Sequence, residues 1–309
     1  MARLLKIIAA LFSAVILIII IAAVALPLII DPNDFKPEIQ AAVKENLGRD
    51  LEIEGNIELS VFPWIGVSTG KLILSNAQGF SDKPFAQIAE SQIKVKLIPL
   101  FSKQIEVNTL VFKGVILNLA KNKKGISNWS DLTRKKEADE KTANNDTHLE
   151  ENQETNAASA AIPLAALVIG GVSIERAKVV WDDQQKGQYI EINDFNFTTG
   201  KLVFNEDIDL DLSLSIFNKQ NNLTEILSLS TKLVINENLD HFQFQSLSID
   251  STTKDEDILG KQITLSLLAN VDLNWAQQTI GIEELNIKLD DMLLIADFNG
   301  EKNNRQTCF

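Results

Sequence analysis

The chain has 309 residues and a formal net charge of −13, with 42 acidic and 29 basic residues. This balance argues against a nucleic-acid partner, because neutralising phosphates requires clustered lysine and arginine. The single cysteine, Cys308, excludes an internal disulfide, so burial and strand pairing must stabilise the fold. The length allows one large domain or two ordinary domains beside a membrane segment.

The first predicted element is a transmembrane signal anchor, residues 1–30. No charged residue lies between Lys6 and Asp31, and this apolar run of about 24 residues would span roughly 36 Å as a helix. Arg3 and Lys6 precede the run, so the positive-inside rule places the N-terminus in the cytoplasm. A cleaved signal peptide is the alternative, since residues 23–25 have the small-x-small pattern of a cleavage site. Both interpretations export the rest of the chain.

A short amphipathic helix is predicted directly after the membrane segment. Asp31 or a neighbouring residue can cap its start, Pro37 fits a first turn, and Gly48 suits the position after its end. The polar side is not rich in lysine and arginine, so we expect packing on the first strands rather than on the bilayer. The apolar positions at helical spacing are Phe35, Ile39, Val43 and Leu47.

From Leu51 the apolar period changes from 3.6 to 2, which predicts strands. Proline and glycine separate these strands, and no helical crossovers intervene, so an antiparallel meander is expected. Residues 31–130 are therefore predicted to form the helix and a first β segment. Residues 131–160 are polar with almost nothing to bury, and they are predicted to be a disordered linker that proteases cut first.

The second β segment, residues 161–300, has the clearest alternation of apolar and polar residues. Changes of phase near Ser246 and around Glu283 and Glu284 predict bulges in a strongly twisted sheet. Residues 301–309 do not continue the pattern and are predicted to be an irregular tail. The candidate residues of the apolar surface are Ile208, Leu210, Leu212, Leu214, Ile216, Leu227, Leu229, Leu233, Ile263, Leu265, Leu267 and Val271.

About a dozen one-sided strands make a broad sheet with one apolar face, and that face must be covered. No convincing amphipathic helix follows Gly48. The sheet can therefore fold against itself as a β-sandwich or closed barrel. It can also curl into an open groove whose lining is covered by long hydrocarbon chains. Buried strands usually face other strands, which favours the sandwich, but the alternation alone does not decide between the two.

Short motifs at ordered positions carry a resemblance to a known family. They are Asp31-Pro32-Asn33-Asp34-Phe35, Gly48-Arg49, Gly55, Phe62-Pro63, Pro99-Leu100, Gly114, Gly125 with Asn128-Trp129, Val179-Val180-Trp181-Asp182-Asp183, and Thr199-Gly200. From about residue 1 to residue 300 the chain resembles the AsmA family of Gram-negative envelope proteins. The resemblance implies a single-pass inner-membrane protein with its bulk in the periplasm. It also implies a mainly β fold in which a long, curled antiparallel sheet forms an open, taco-like groove. This fold relates the family to the chorein-type bridge proteins that transfer lipids.

The resemblance implies phospholipid as a partner. The candidate residues of the apolar surface would then face the lipid. Family members are connected with phospholipid transport to the outer membrane and with its integrity. The alternative is a structural or assembly factor for outer-membrane proteins that acts by contacts with envelope proteins. Family members are usually several hundred residues longer. A dozen strands at about 4.8 Å each give a groove of only about 60 Å, which is short for bridging an envelope alone.

No enzyme, cofactor or metal site is predicted. The two histidines are far apart in the sequence, His148 in the linker and His241 at a strand start, and no nucleophile elbow or phosphate loop occurs. Asp207, Asp209 and Asp211 would share one side of a strand, which indicates a solvated outer face rather than a calcium site. The family resemblance carries over no catalytic residues.

Overall fold

The structure is a computed structural model that describes residues 31–60, 64–96, 99, 105–132, 167–255 and 262–301. In these ranges no helix is both long and apolar enough to cross a membrane. The predicted anchor, residues 1–30, lies outside the described residues, as do residues 133–160 of the predicted linker and residues 302–309 of the predicted tail.

One helix, α1 (Lys36–Leu47), follows a 3-10 turn at Pro32–Phe35. Asp31 caps the turn, because its side chain accepts a hydrogen bond from the Asn33 amide at 2.9 Å. Pro37 lies in the first turn of α1, where its missing N–H costs nothing. Gly48 ends the helix with a φ of 70°, a left-handed conformation that glycine adopts without strain. The predicted limits of the helix are confirmed.

The apolar side of α1 is packed less fully than expected. Phe35, Ile39 and Leu47 are 54%, 40% and 42% exposed, and no residue of the helix is buried. Polar contacts also hold the helix, including a hydrogen bond from Lys36 to the Gly55 carbonyl at 2.8 Å. The helix does lie against β1, and Val43 is half-buried, so the expected packing on the first strands is present but only partial.

The strands of the described residues form one sheet of eighteen strands. Its strands are β1 (Leu51–Ile53), β2 (Ile57–Ser60), β3 (Trp64–Thr69), β4 (Leu72–Leu74), β5 (Ala86–Ile88), β6 (Glu90–Lys96), β7 (Ile105–Val107), β8 (Leu110–Lys113), β9 (Ile116–Lys121), β10 (Leu167–Ile169), β11 (Val172–Asp183), β12 (Gln188–Thr199), β13 (Ile208–Asn218), β14 (Leu223–Ile235), β15 (His241–Asp255), β16 (Gln262–Asn274), β17 (Thr279–Leu289) and β18 (Met292–Glu301).

Short strands lie end to end, so the eighteen strands form twelve rows. Row 1 is β1 with β2, row 2 is β3 with β4, row 3 is β5 with β6, row 4 is β7 to β9, and row 5 is β10 with β11. Rows 6 to 12 are the single strands β12 to β18. Each row pairs with the next, and no ladder among the described residues joins row 12 to row 1. The sheet is open and does not close into a barrel.

All ladders are antiparallel except the one between rows 4 and 5. There β11 runs parallel to β8 and β9, with Val179 beside Leu117. The purely antiparallel prediction is therefore wrong at this ladder. Residues 122–166 connect the two rows, and a connection of this length allows the chain to return to the start of row 4, as parallel pairing requires. The strands of both predicted β segments lie in this one sheet.

The pairing register places the apolar side chains of successive rows on one face, which we call the apolar face. Residues directly opposite each other on paired strands point to the same side of a sheet. A line of such partners runs across rows 7 to 12, through Leu212, Leu229, Ile249, Leu267, Ile287 and Leu294. On the other face, Asp211 is opposite Ser230, and Ser230 is opposite Ser248. The predicted one-sided sheet is confirmed.

Bulges interrupt the long rows. Arg176, Asp194, Ser246 and Glu284 have φ angles of 52°, 49°, 50° and 54°, and each lies at a break in the pairing register. The bulges predicted near Ser246 and Glu284 are confirmed. A bulge bends its strand and raises the local twist, so these positions give the sheet curvature.

Candidate functional site

The candidate residues all lie on the apolar face, in rows 7, 8 and 10. Ile208 is buried at 4% exposure, whereas the other candidates are half-buried. Fully buried apolar side chains are few in the part of the chain that the structure describes, and they are scattered over the sheet. The described residues contain no second sheet that could cover this face.

Row 9 completes the surface between rows 8 and 10, although the sequence did not assign its residues. Phe244 is opposite Leu233 and Val271, and Leu247 is opposite Ala269. Phe244 and Leu247 are three residues apart, so a strict period of 2 places them on opposite faces. The bulge at Ser246 restores both to the apolar face, and only the phase change at this point could have revealed them.

The apolar face continues into the first β segment. Across the parallel ladder, Phe112 of row 4 lies beside Ile174 of row 5, and Ile174 is opposite Phe197 of row 6. Towards the N-terminus, Val67 is opposite both Leu59 and Ile93. The surface therefore extends from row 1 to row 12 rather than being confined to the predicted strands.

The last row is apolar on both faces. Met292, Leu294 and Phe298 project from the apolar face and are 65%, 55% and 53% exposed. Leu293 and Ile295 project from the other face and are 65% and 66% exposed. Beyond row 12, no described residue pairs with the outer edge of this strand. Such an edge is able to accept a further strand.

The face opposite the apolar face carries the polar networks. Lys178 pairs with Glu191 at 2.9 Å, and the Tyr189 hydroxyl donates to the same carboxylate at 2.6 Å. The hydrogen bond to Glu191 raises the pKa of Tyr189 to about 12. The hydrogen bonds from Tyr189 and Lys178 in turn hold the pKa of Glu191 below its usual value. These shifts belong to a structural network on the solvated face.

His241 lies on this same solvated face, where its Nε2 is 3.0 Å from both carboxylate oxygens of Asp272. Gln243 donates to Asp272 at 2.9 Å. Burial raises the pKa of Asp272, but the hydrogen bonds from Gln243 and His241 outweigh it and leave that pKa lowered. Among the described residues, no three histidine, cysteine, aspartate or glutamate side chains are grouped as metal ligands require.

A buried polar cluster fixes the start of row 1 to the end of row 4. The Arg49 side chain is 2% exposed and donates from Nε and Nη2 to Asp131 at 3.0 and 2.7 Å. Nη2 also donates to the Asn128 carbonyl, and the guanidinium lies 4.4 Å from the centre of the Phe85 ring. The hydrogen bonds from Arg49 lower the pKa of the Asp131 carboxyl below its usual value.

Asn128 is fully buried, and its side chain binds three residues, two of them in β9. Its Oδ1 accepts from the Ala120 amide at 2.9 Å, and its Nδ2 donates to the Asn118 carbonyl and to Asn76. Beside it, the ring centres of Trp129 and Trp181 are 5.6 Å apart. The Gly48-Arg49 and Asn128-Trp129 motifs, distant in the sequence, therefore meet in one structural cluster.

The described residues thus define a class of protein: a mainly β protein built on one large open sheet with an extended, half-exposed apolar face. The sequence profile of the AsmA family matches residues 1–292, and the chain belongs to this family. Protein AsmA of Escherichia coli (strain K12) is 30% identical over 106 residues, which cover 34% of this chain. The match covers 17% of the length of that protein. No solved structure matches the chain.

Family membership supports a role connected with the cell envelope or the outer membrane. The AsmA family is not known for enzymatic activity. Phospholipid, the inner membrane and envelope proteins as partners, and a periplasmic position, remain predictions from the sequence.

Proposed function

We propose that this protein carries or shields phospholipid acyl chains on its apolar face, as a membrane-anchored periplasmic protein that supports phospholipid transport to the outer membrane and its integrity. The observation that carries the proposal is a half-exposed apolar face that continues from row 1 to row 12. Leaving so much apolar surface in water is unfavourable, at roughly 25 cal/mol per Å². A bound hydrocarbon chain removes that cost without a second layer of protein.

The bulges support an open groove as the shape of this face. They lie in rows 5, 6, 9 and 11, at Arg176, Asp194, Ser246 and Glu284, and each adds twist to its row. A sheet that curls in this way forms a trough with the apolar face inside. Envelope-related family membership is consistent with a lipid as the occupant.

Photo-crosslinking from neighbouring positions of row 7 tests the proposal. Leu212 lies on the apolar face, whereas Ser213 is the next residue of the same strand and faces the other way. A crosslinker at position 212 is expected to capture phospholipid in membranes, and the same group at position 213 should capture none. Capture of protein alone from both positions would contradict lipid carriage.

Leu212→Glu provides the matched functional test. In an open groove the carboxylate can reach water, so the variant should fold and lose lipid binding. In a closed sandwich the same charge would be buried at a cost of several kcal/mol, comparable with the stability of a domain. Unfolding of Leu212→Glu, measured by circular dichroism, would therefore argue for a covered face. The conservative Leu212→Met should retain both fold and lipid.

The exposed last row gives the assembly-factor alternative a specific basis. An edge strand with apolar side chains on both faces can pair with a strand of an envelope protein. Purification of the full chain separates the two functions. A stoichiometric protein partner without lipid would favour assembly, whereas phospholipid without a protein partner would favour carriage.

A further inference from the structure

The apolar face has a polar margin on one side only. In rows 4 to 9, polar side chains lie on the apolar face at or next to the row ends on this side, with Leu223 at the end of row 8 as the apolar exception, whereas the opposite row ends carry mainly Ile, Leu and Phe. The polar margin consists of Lys121, Asp183, Gln188, Asn218, Glu225, Ser251 and Thr253. The opposite margin includes Ile208, Ile235, Phe242 and Leu273.

Two polar groups of this margin are used by turns. Asp183 is 2% exposed, and its Oδ1 accepts hydrogen bonds from the amides of Gln185 and Lys186 at 3.0 Å. The Asn218 Oδ1 accepts from the Gln220 amide at 3.0 Å. Aspartate and asparagine commonly stabilise turns in this way. These turn contacts explain why Asp183 and Asn218 lie on the margin, without a ligand.

Glu225 is different because it lies inside a strand. It is the third residue of β14, directly opposite Ile216 on one side and Thr253 on the other. The Ser251 hydroxyl donates to its Oε1, and the Thr253 hydroxyl donates to its Oε2. Glu225 is half-buried and forms no ion pair with any residue that the structure describes.

The two hydroxyls fix both carboxylate oxygens but do not saturate them, because an ionised carboxylate has about four acceptor positions. A carboxylate on an apolar surface is costly unless a charged partner compensates it. Leu227 and Leu229 follow at the next two positions on the same face, towards the opposite margin. The arrangement therefore places a carboxylate without an ion pair to any described residue beside an apolar path, one position inward of Leu223.

We propose that Glu225, held by Ser251 and Thr253, binds the primary ammonium group of a zwitterionic phospholipid whose acyl chains lie on the apolar face. This inference rests on the proposed function. A primary ammonium has three N–H donors and a positive charge, which match the remaining acceptor positions. An anionic headgroup without an amine would be repelled by the same carboxylate. The polar margin thus selects the headgroup, and the face holds the chains.

Lipid exchange with the full chain in detergent tests the inference. The protein is incubated with vesicles of equal phosphatidylethanolamine and phosphatidylglycerol, and native mass spectrometry gives the ratio of the bound lipids. Wild-type protein should enrich phosphatidylethanolamine, and Glu225→Gln should reduce that enrichment by about five- to tenfold, as expected for loss of a charge-assisted hydrogen bond. Asp211→Asn, an exposed carboxylate on the other face of row 7, is the matched control and should retain it.

A second measurement uses wild-type protein alone and does not depend on how a variant folds. Phosphatidylcholine replaces phosphatidylethanolamine in the vesicles, which removes the N–H donors but keeps the positive charge. The enrichment over phosphatidylglycerol should fall. Equal binding of all three lipids by the wild type, or unchanged enrichment in folded Glu225→Gln, would overturn the headgroup site while leaving lipid carriage intact. Absence of any bound phospholipid would instead overturn the proposed function.

Discussion

Arg49 shows how a single side chain holds together distant parts of the chain. It is almost fully buried, and its partners Asp131 and Asn128 lie about eighty positions away in the sequence. A buried guanidinium is tolerated only when it is paired, so removing one partner costs more than the pair itself contributes. The Nη1 atom has no hydrogen-bond partner among the described residues. The cluster therefore depends strongly on Asp131.

Asp131→Asn should lower stability at neutral pH by about 2 to 3 kcal/mol, because it leaves a buried guanidinium without a counter-charge. The folded-state pKa of Asp131 lies below its unfolded value of 3.8, so its stabilising effect is present above about pH 4 and is lost as pH falls through the folded pKa. Thermal melts of wild type and variant should therefore differ at pH 7 and converge as the pH falls through the folded-state pKa of Asp131.

The control for this prediction is Asp50→Asn, which removes an exposed pair. Lys44 and Asp50 are 2.7 Å apart, but their side chains are 54% and 74% exposed. Such pairs contribute little because water screens them. Equal losses of stability in Asp50→Asn and Asp131→Asn at pH 7 would show that burial of Arg49 does not matter.

At the scale of elements, three of the bulges share one stabilising contact. The amide of the left-handed residue is bound by a side chain of the neighbouring row, with N···O distances of 2.8 to 2.9 Å. The register break would otherwise leave that amide without a ladder partner. The donor and acceptor pairs are Arg176 with Asn196, Ser246 with Asn270, and Glu284 with Asp297.

Ser246→Gly should stabilise the protein by about 0.5 to 1 kcal/mol, because a left-handed conformation is costly for any residue with a Cβ. Ser248→Gly is the matched control, two residues along the same strand and without a positive φ. Ser248→Gly should lower the free energy of unfolding by roughly 0.5 to 1 kcal/mol, because no backbone strain is relieved there and glycine loses more conformational entropy on folding. Melting temperatures that fall by the same amount in both variants would contradict the strain at Ser246.

The sequence predicted the elements well where the period was regular. The limits of α1, the alternation of Ile208 to Ile216 and the bulges at Ser246 and Glu284 are all confirmed. Row 9 was missed as part of the surface because its bulge shifts the period. The parallel ladder could not be predicted, since alternation reports which face a residue occupies and not which row lies beside it.

The extent to which α1 packs on the strands could not be predicted for a related reason. Helical spacing of Phe35 and Ile39 shows that the helix has an apolar side, but not what that side contacts.

The surroundings of Glu225 likewise could not be predicted from the sequence. Glu225 looks in the sequence like a break in the alternation of β14, and only the register with Thr253 shows the hydroxyls around it.

At the scale of the whole molecule, the parallel ladder joins the two β segments without depending on the covalent connection. Row 5 runs beside row 4 from Leu167 opposite Ile105 to Asp183 opposite Lys121. The ladder across this boundary is parallel, but it is about as long as the antiparallel ladders between the later rows. The segments should therefore remain together when the connection is cut.

A protease site inserted after Asn145 tests this expectation. Cleavage of the native protein should leave both fragments in one particle through size-exclusion chromatography, because the ladder between rows 4 and 5 persists. Ile174→Asp, which places a charge at this boundary on the apolar face, should let the cut fragments separate. The uncut Ile174→Asp protein serves as the control. Fragments that separate without the substitution would contradict a continuous sheet.

Strand pairing joins only neighbouring rows among the described residues. The Arg49 cluster between the start of row 1 and the end of row 4 is the described contact that reaches further, so the energetics of rows 5 to 12 should be nearly one-dimensional. As in repeat proteins, stability then approximates a sum of row terms and nearest-neighbour terms, and rows that are far apart influence each other weakly. A perturbation at Arg49 in row 1 should barely reach Glu225 in row 8. In such an architecture, adding or removing a row changes the length of the surface but not its cross-section. The length of the sheet and the proposed headgroup preference could therefore evolve independently.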